Sequence, residues 1–179
     1  MQDKKATLEP DFVYHIYNRA NGNERLFLSD ENYRFFMERY WRYIEPIADT
    51  YCYCLMPNHF HFLVRIKNEK AIESLMLAKP LQGFETLEGL ARQNAISKFL
   101  SQKFSHLFNG YAQAFNKFTG RKGSLFMHTF KRKKVTDEKY LFKLTHYIHY
   151  NPIEGELTQK PQEWEFSSYP ALISNSHTL

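Results

Sequence analysis

The chain has few of the features that mark membrane or secreted proteins. Its 179 residues include only two cysteines, and glycine and proline occur seven times each. No apolar run reaches the roughly 18 residues that a membrane-spanning helix needs. The first residues, MQDKKATLEPDF, lack the apolar core of a secretory signal. We therefore expect a cytoplasmic protein without a membrane partner.

The two cysteines, Cys52 and Cys54, lie two positions apart on a predicted strand. This spacing does not suit a structural disulfide, and two thiols are too few for a closed zinc finger. A small hydrolase in which both cysteines help to bind zinc stays an alternative. It is disfavoured because the cysteines lie several residues before His59.

Composition favours one folded domain that spans residues 1–179. Charged residues make up 24% of the chain and aromatic residues 17%, so a packed core is expected. The formal net charge of +5 favours an acidic partner such as nucleic acid. On charge alone, a protein that is merely basic is an equally good interpretation.

The order of the predicted elements is strand, helix, strand, strand, helix, strand, helix. They are a strand at 12–20, a helix at 29–46, a hairpin at 49–67, a helix from about 94 to 118, a strand region at 124–136 and a helix at 137–150. Residues 71–90 are predicted to be irregular, within a divergent helical excursion at about 68–105. This order predicts an α+β fold with one antiparallel sheet, the ferredoxin-like or RRM-like arrangement.

The segment LMPNHFHFLV places two histidines in a predicted strand. His59 and His61 are separated by one residue, Phe60, so on an extended backbone their side chains point to the same face. A lone histidine here would more often be a core residue. Two on one face beside a turn indicate part of a metal site, because neutral imidazole is a common ligand of divalent metals. The pair still needs a third ligand and a nucleophile.

The predicted helix YLFKLTHYIHYNP offers both. Tyr147 and Asn151 are four residues apart and would share a helix face, where the asparagine oxygen can complete a metal shell. Pro152 disfavours helical geometry at Asn151, which is therefore expected at the helix end. Aromatic packing explains some of the tyrosines, and spacing alone does not choose among Tyr140, Tyr147 and Tyr150.

Taken together, LMPNHFHFLV, YIHYNP and GSLFMHTFKRKKV resemble the HUH single-tyrosine transposase family. Within that family the segments are similar to the transposases associated with repetitive extragenic palindromes (REPs), which are relatives of insertion-sequence enzymes that move as single-stranded DNA. The resemblance runs from YHIYNRA to FSSYPAL and covers residues 68 to about 105 poorly.

The resemblance implies a metal-dependent single-stranded DNA endonuclease and strand transferase that acts on hairpin or palindromic DNA. His59 and His61 match the paired metal ligands, Asn151 the third, and Tyr147 the nucleophile that forms a covalent 5′-phosphotyrosine. A mixed histidine and amide shell suits Mg²⁺ or Mn²⁺ better than zinc. Members of the family work as pairs, so a homodimer is expected.

Tyr111, in FNGYAQAFNKF, is an alternative nucleophile, because it too lies on a helix before a basic strand. We prefer Tyr147, since Tyr111 has no ligand-capable partner that matches the pattern of the family. A non-catalytic, domesticated transposase that only binds nucleic acid hairpins is the alternative function.

Two basic groups are predicted to hold the DNA backbone. They are Lys131, Arg132, Lys133 and Lys134 on the basic strand, with Arg121 and Lys122 before it. Side chains alternate along a strand, so only about half of the first group can face one DNA strand. The adjoining Phe126 and Phe130 offer stacking platforms for bases.

Overall fold

Four strands form one antiparallel sheet in the computed structural model, which describes residues 6–78 and 88–174. The strands are β1 (Val13–Arg19), β2 (Ala48–Met56), β3 (His59–Ile66) and β4 (Lys131–Val135). Their order across the sheet is β2-β3-β1-β4, and all neighbours are antiparallel. With helices after β1 and after β3, this is the ferredoxin-like succession, so the predicted α+β fold class is confirmed.

Helices cover both faces of the sheet. They are α1 (Asp30–Tyr43), α2 (Glu69–Leu77), α3 (Gly89–Thr119), α4 (Glu138–Glu154), a short 3-10 helix (Pro161–Glu163) and α5 (Tyr169–Ile173). The helices α1 and α3 pack on one face and on each other, whereas α4 packs on the other face, mainly against β2. No helix in the described ranges has both the length and the apolar content to cross a membrane.

The face towards α1 and α3 carries the main core. Side chains alternate along a strand, and the antiparallel register of β1 and β3 brings their even-numbered residues to this face. These residues are Tyr14, Ile16, Phe60, Phe62 and Val64, which pack with Phe36, Tyr40, Phe104 and Phe108. Each buried side chain of this size stabilises the fold by about 1.5–3 kcal/mol. The core therefore fixes which side chains are left on the opposite face.

The region after β3 differs from the predicted irregular chain. Glu69–Leu77 is helical, and the side chain of Asn68 caps it by accepting a hydrogen bond from the Ala71 amide. The prediction for 71–90 is wrong for this part, and residues 79–87 lie outside the described ranges. The helix α3 begins at Gly89, earlier than expected.

Gly110 lies inside α3, where a glycine normally weakens a helix. The guanidinium of Arg39 packs against the backbone here, and a Cβ at Gly110 would overlap Arg39 Nη2. The glycine therefore permits the close approach of an α1 side chain to α3.

Candidate active site

Both predicted histidine ligands lie on the sheet face that α4 covers. The register of β1 and β3 places Arg19 opposite His59 and Tyr17 opposite His61. The two imidazole centroids are 5.1 Å apart, and the rings are nearly perpendicular. His61 is buried, whereas His59 is partly exposed.

The helix α4 brings Tyr147 and Asn151 to the same place. Asn151 Oδ1 lies 3.1 Å from His59 Nε2, and the Tyr147 ring meets His61 edge-on at 5.4 Å between centroids. Tyr147 is 40% exposed and lines a surface cavity, so a substrate can reach this residue. Four residues singled out from two distant segments therefore meet in the folded chain.

The expected end of the helix at Asn151 is wrong, because α4 continues through Pro152 to Glu154. Asn151 and Pro152 are both buried, and the Asn151 side-chain amide donates to the Tyr147 carbonyl at 2.7 Å. A residue before proline is biased away from helical geometry but not excluded from it. Burial of this turn outweighs the local preference.

The imidazole of His59 lies between two amide oxygens. Its Nδ1 lies 2.7 Å from Asn58 Oδ1, and its Nε2 faces Asn151 Oδ1. Burial lowers the pKa of His59, which favours the neutral ring with a single N–H. A ring with one N–H can donate to only one of these two oxygens. In the tautomer whose Nδ1–H donates to Asn58, Nε2 and Asn151 Oδ1 are both acceptors, and a cation between them would satisfy both.

His61 has an unsatisfied nitrogen. Its Nδ1 lies 2.8 Å from His15 Nε2, and its own Nε2 is buried without a hydrogen-bond partner in the described part of the chain. Burial is the main cause that lowers the pKa of His15 to about 3, and the nearby positive charge of Lys133 lowers it further. Burial also holds the pKa of His61 well below its usual value. Both rings are therefore neutral, and a His61 tautomer with Nδ1–H bound to His15 presents the Nε2 lone pair as a metal ligand.

These donors fit the predicted metal. Two imidazole nitrogens and one amide oxygen are a partial shell that leaves positions open for substrate or water. The described residues contain no cluster of three or more His, Cys, Asp or Glu side chains that could hold a metal ion, so the site depends on the Asn151 oxygen.

The cysteines do not strengthen the zinc alternative. Cys54 lies directly across the β2–β3 pair from His61, so it is nearer to the candidate ligands than its position in the sequence indicates. It is, however, completely buried in an apolar cluster with Leu144 and Ile148. Burial raises the pKa of Cys52 to about 12 and also raises that of Cys54, which favours the thiol over the thiolate that zinc requires.

A cavity of about 340 Å³ opens beside the candidate ligands. Tyr17, Tyr147 and both histidines line it, together with the cations Arg19 and Lys131. The Lys131 ammonium lies 5.8 Å from the Tyr17 ring. A phosphate group in this cavity would meet positive charge from β1 and β4, and Arg19 was not expected from the sequence.

The basic strand β4 divides between the two faces of the sheet, as strand alternation predicts. Lys131 and Lys133 lie on the face of the cavity, where Lys133 donates to the Tyr140 hydroxyl at 2.7 Å. Arg132 turns the other way and donates to the Ala6 carbonyl at 2.6 Å. Lys134 pairs with the Glu9 carboxylate at 3.2 Å. Lys131 is therefore the residue of this group best placed to meet DNA at the cavity.

The second basic group is also divided. Lys122 is exposed, but Arg121 forms an ion pair with Glu24 and donates to the carbonyls of Gly123 and Ser124. These bonds hold the loop that follows α3. The structure thus gives Arg121 a structural role.

Tyr111 does not join the candidate site. It is buried in the main core on the other face of the sheet, where its hydroxyl donates to the Leu26 carbonyl at 2.5 Å. Burial raises its pKa further above the usual value. A buried hydroxyl with a backbone partner is poorly placed to attack a phosphate.

The fold of the chain is similar to the structure of a REP-associated tyrosine transposase bound to a REP hairpin. The match has a TM-score of 0.57 and 12% sequence identity, and it covers 97% of this chain and 86% of that chain. No protein-family model and no curated sequence matches the chain. The likeness shows a common fold, so the chemistry of the site rests on the residues of this chain.

Proposed function

We propose that the chain is a metal-dependent single-stranded DNA endonuclease and strand transferase of the HUH single-tyrosine class, acting on hairpin or palindromic DNA. The observation that carries the proposal is the meeting of Tyr147 with His59, His61 and Asn151 at a cationic cavity. The fold likeness to a transposase bound to a DNA hairpin supports it.

His59, His61 and Asn151 would hold Mg²⁺ or Mn²⁺, which when bound polarises the scissile phosphate and stabilises the 3′-oxygen leaving group. The Tyr147 oxygen attacks phosphorus, a bond from phosphorus to the tyrosine oxygen forms, and the bond to the 3′-oxygen breaks. The tyrosine proton passes to solvent water, and the released 3′-oxygen takes up a proton from solvent water, so the step needs no net proton. Because the 5′-phosphotyrosine keeps a phosphodiester, the reverse step can rejoin strands without a nucleotide cofactor.

Arg19 and Lys131 would contact the phosphate of the substrate rather than activate the tyrosine nucleophile. Both line the cavity, and cations at this position stabilise the charge that builds up on the phosphate during the reaction. The expected homodimer and the cytoplasmic location stay predictions.

The proposal is tested by incubating the wild-type protein with a pool of single-stranded oligonucleotides, with and without hairpins. With Mg²⁺ or Mn²⁺ we expect a protein–DNA adduct that migrates more slowly on a denaturing gel, and with EDTA we expect none. Sequencing the trapped DNA identifies the cleaved site. If hairpins bind but no adduct forms with either metal, the protein is a non-catalytic hairpin binder.

Neutralising Lys131 and Lys133 together, as glutamines, is expected to flatten the dependence of DNA affinity on salt concentration. Each lost phosphate contact lowers the slope of log K against log[salt] by about 1, because one fewer counterion is released. Titrations in EDTA at several salt concentrations measure this slope. The matched control is Lys134→Gln, which should leave it unchanged because Glu9 already pairs with Lys134. An unchanged slope in the double variant would place the DNA on another surface.

A further inference from the structure

A second cavity, of about 500 Å³, lies beside the candidate active site between α3 and the loop of residues 121–130. It shares the wall formed by Asn18, Met127 and His128 with the catalytic cavity. Its volume is in the range of pockets that hold small organic ligands. A strand that enters one cavity can therefore place a neighbouring group in the other.

Aromatic side chains form the floor of this second cavity. Phe108, Phe126 and Phe130 line it and pack on one another, with ring centroids 5.2 Å and 5.8 Å apart for the two pairs that include Phe108. Among the described residues, those that line it include no Asp, Glu, Lys or Arg. A pocket of this kind suits a flat, uncharged ring better than a phosphate.

Two amide side chains stand at the rim with their hydrogen-bonding groups free. Asn109 and Gln113 are one turn apart on α3, both are exposed, and neither side chain has a hydrogen bond within the described ranges. The nearby Asn116 differs, because its amide donates to the Gly123 carbonyl and accepts from Arg121. A free amide offers one acceptor and two N–H donors, the combination that reads the edge of a base.

The opposite rim is held in place before any ligand arrives. Arg121 ties the carbonyls of Gly123 and Ser124 to Glu24, and the Met127 amide donates to the Arg19 carbonyl at 3.1 Å. Gly123 has a φ of +88°, which the turn requires and side-chain-bearing residues rarely adopt. A rigid rim reduces the entropy that binding would otherwise cost.

We propose that this cavity binds an unpaired nucleobase of the strand whose phosphate enters the catalytic cavity, with Asn109 and Gln113 contacting the base edge over the phenylalanine floor. The choice of a DNA strand as ligand rests on the proposed function. The consequence is a base preference at one position close to the cleaved phosphate, set by these two amides.

The test uses the variant in which Asn109 and Gln113 are both alanine, with Gln102→Ala as the matched control. Gln102 is an exposed amide on the same helix that does not line the cavity. Affinity for a single-stranded oligonucleotide is measured in EDTA, so that cleavage plays no part. A series of oligonucleotides carries one abasic nucleotide at successive positions, which identifies the position where loss of the base weakens binding. Each of the four bases is then tested at that position.

For the wild type and the control we expect an abasic nucleotide at one position to weaken binding about tenfold, and we expect one base to be preferred there. The double variant should show no base preference. It should bind the unmodified strand more weakly than wild type but still more tightly than the abasic strand, because the phenylalanine floor remains. A wild type without a sensitive position, a double variant that keeps the preference, or a protein that binds no strand would each overturn the inference.

Adduct formation is scored separately with the same variants. If the double variant loses base preference while wild type forms no adduct, the base pocket stands and the proposed catalysis fails. If the double variant keeps base preference while wild type forms the adduct, the catalysis stands and the base pocket fails.

Discussion

Replacing Tyr147 by phenylalanine is expected to abolish the covalent protein–DNA adduct and to leave the fold and the DNA affinity almost unchanged. The substitution removes only the oxygen that would attack phosphorus. Tyr147 is 40% exposed, and its hydroxyl makes no hydrogen bond within the described ranges, so the free energy of unfolding should change by no more than about 0.5 kcal/mol. Denaturing gels measure the adduct, and urea titration measures stability.

Two tyrosines of the same chain serve as controls for this result. Tyr150→Phe removes a hydroxyl from a ring on the same helix that stacks on His146 at 3.9 Å, and it should keep the adduct. Tyr111→Phe should also keep the adduct, but it leaves the Leu26 carbonyl without its donor and should cost about 1–3 kcal/mol of stability. Loss of the adduct in Tyr111→Phe, with retention in Tyr147→Phe, would make Tyr111 the nucleophile.

The fold was predictable because the strands carry strong local patterns. The alternation around His59 and His61 and the turn before them indicate a hairpin, and the order of strands and helices then leaves few topologies. The helix α2 lies inside the helical excursion expected at about 68–105, but its bounds were not predicted. Its signal is a single capping residue, Asn68, followed by a short stretch with weak helical periodicity. Short helices depend more on tertiary packing than on local propensity.

The candidate site was predictable in its two local halves only. Spacing of two residues on a strand places the histidines together, and spacing of four on a helix places Tyr147 near Asn151. The choice of Tyr147 among the tyrosines came from the family resemblance and not from spacing. His15 and Arg19 were missed because they join the site through the register of β1 against β3, which no local pattern specifies. The ion pair of Arg121 with Glu24 could not be predicted either, since the two residues lie 97 positions apart in the sequence; the DNA contact of Arg121 stays a prediction.

Replacing His61 by phenylalanine is expected to remove the stabilisation that Mn²⁺ gives to the wild type. A metal ion that binds only the folded state stabilises that state by about 2.7 kcal/mol at a concentration of 100 times Kd, and Tm rises accordingly. The variant keeps an aromatic ring between Tyr17 and Tyr147 and removes the buried, unsatisfied Nε2, although it leaves His15 Nε2 without a partner. In EDTA its stability should therefore stay within about 1 kcal/mol of wild type.

Thermal unfolding in EDTA and in Mn²⁺ separates a lost ligand from a damaged fold. His149→Phe is the matched control, since His149 is also buried but bonds to Ser168 Oγ at 2.8 Å; it should lower Tm in EDTA and keep the full Mn²⁺ shift. His15→Phe should keep a shift at higher metal concentrations only, because losing the partner that orients a ligating histidine weakens metal affinity by about 10–100-fold. A full Mn²⁺ shift in His61→Phe would mean that the ion binds elsewhere and that His61 is a core residue whose orphan nitrogen serves no metal.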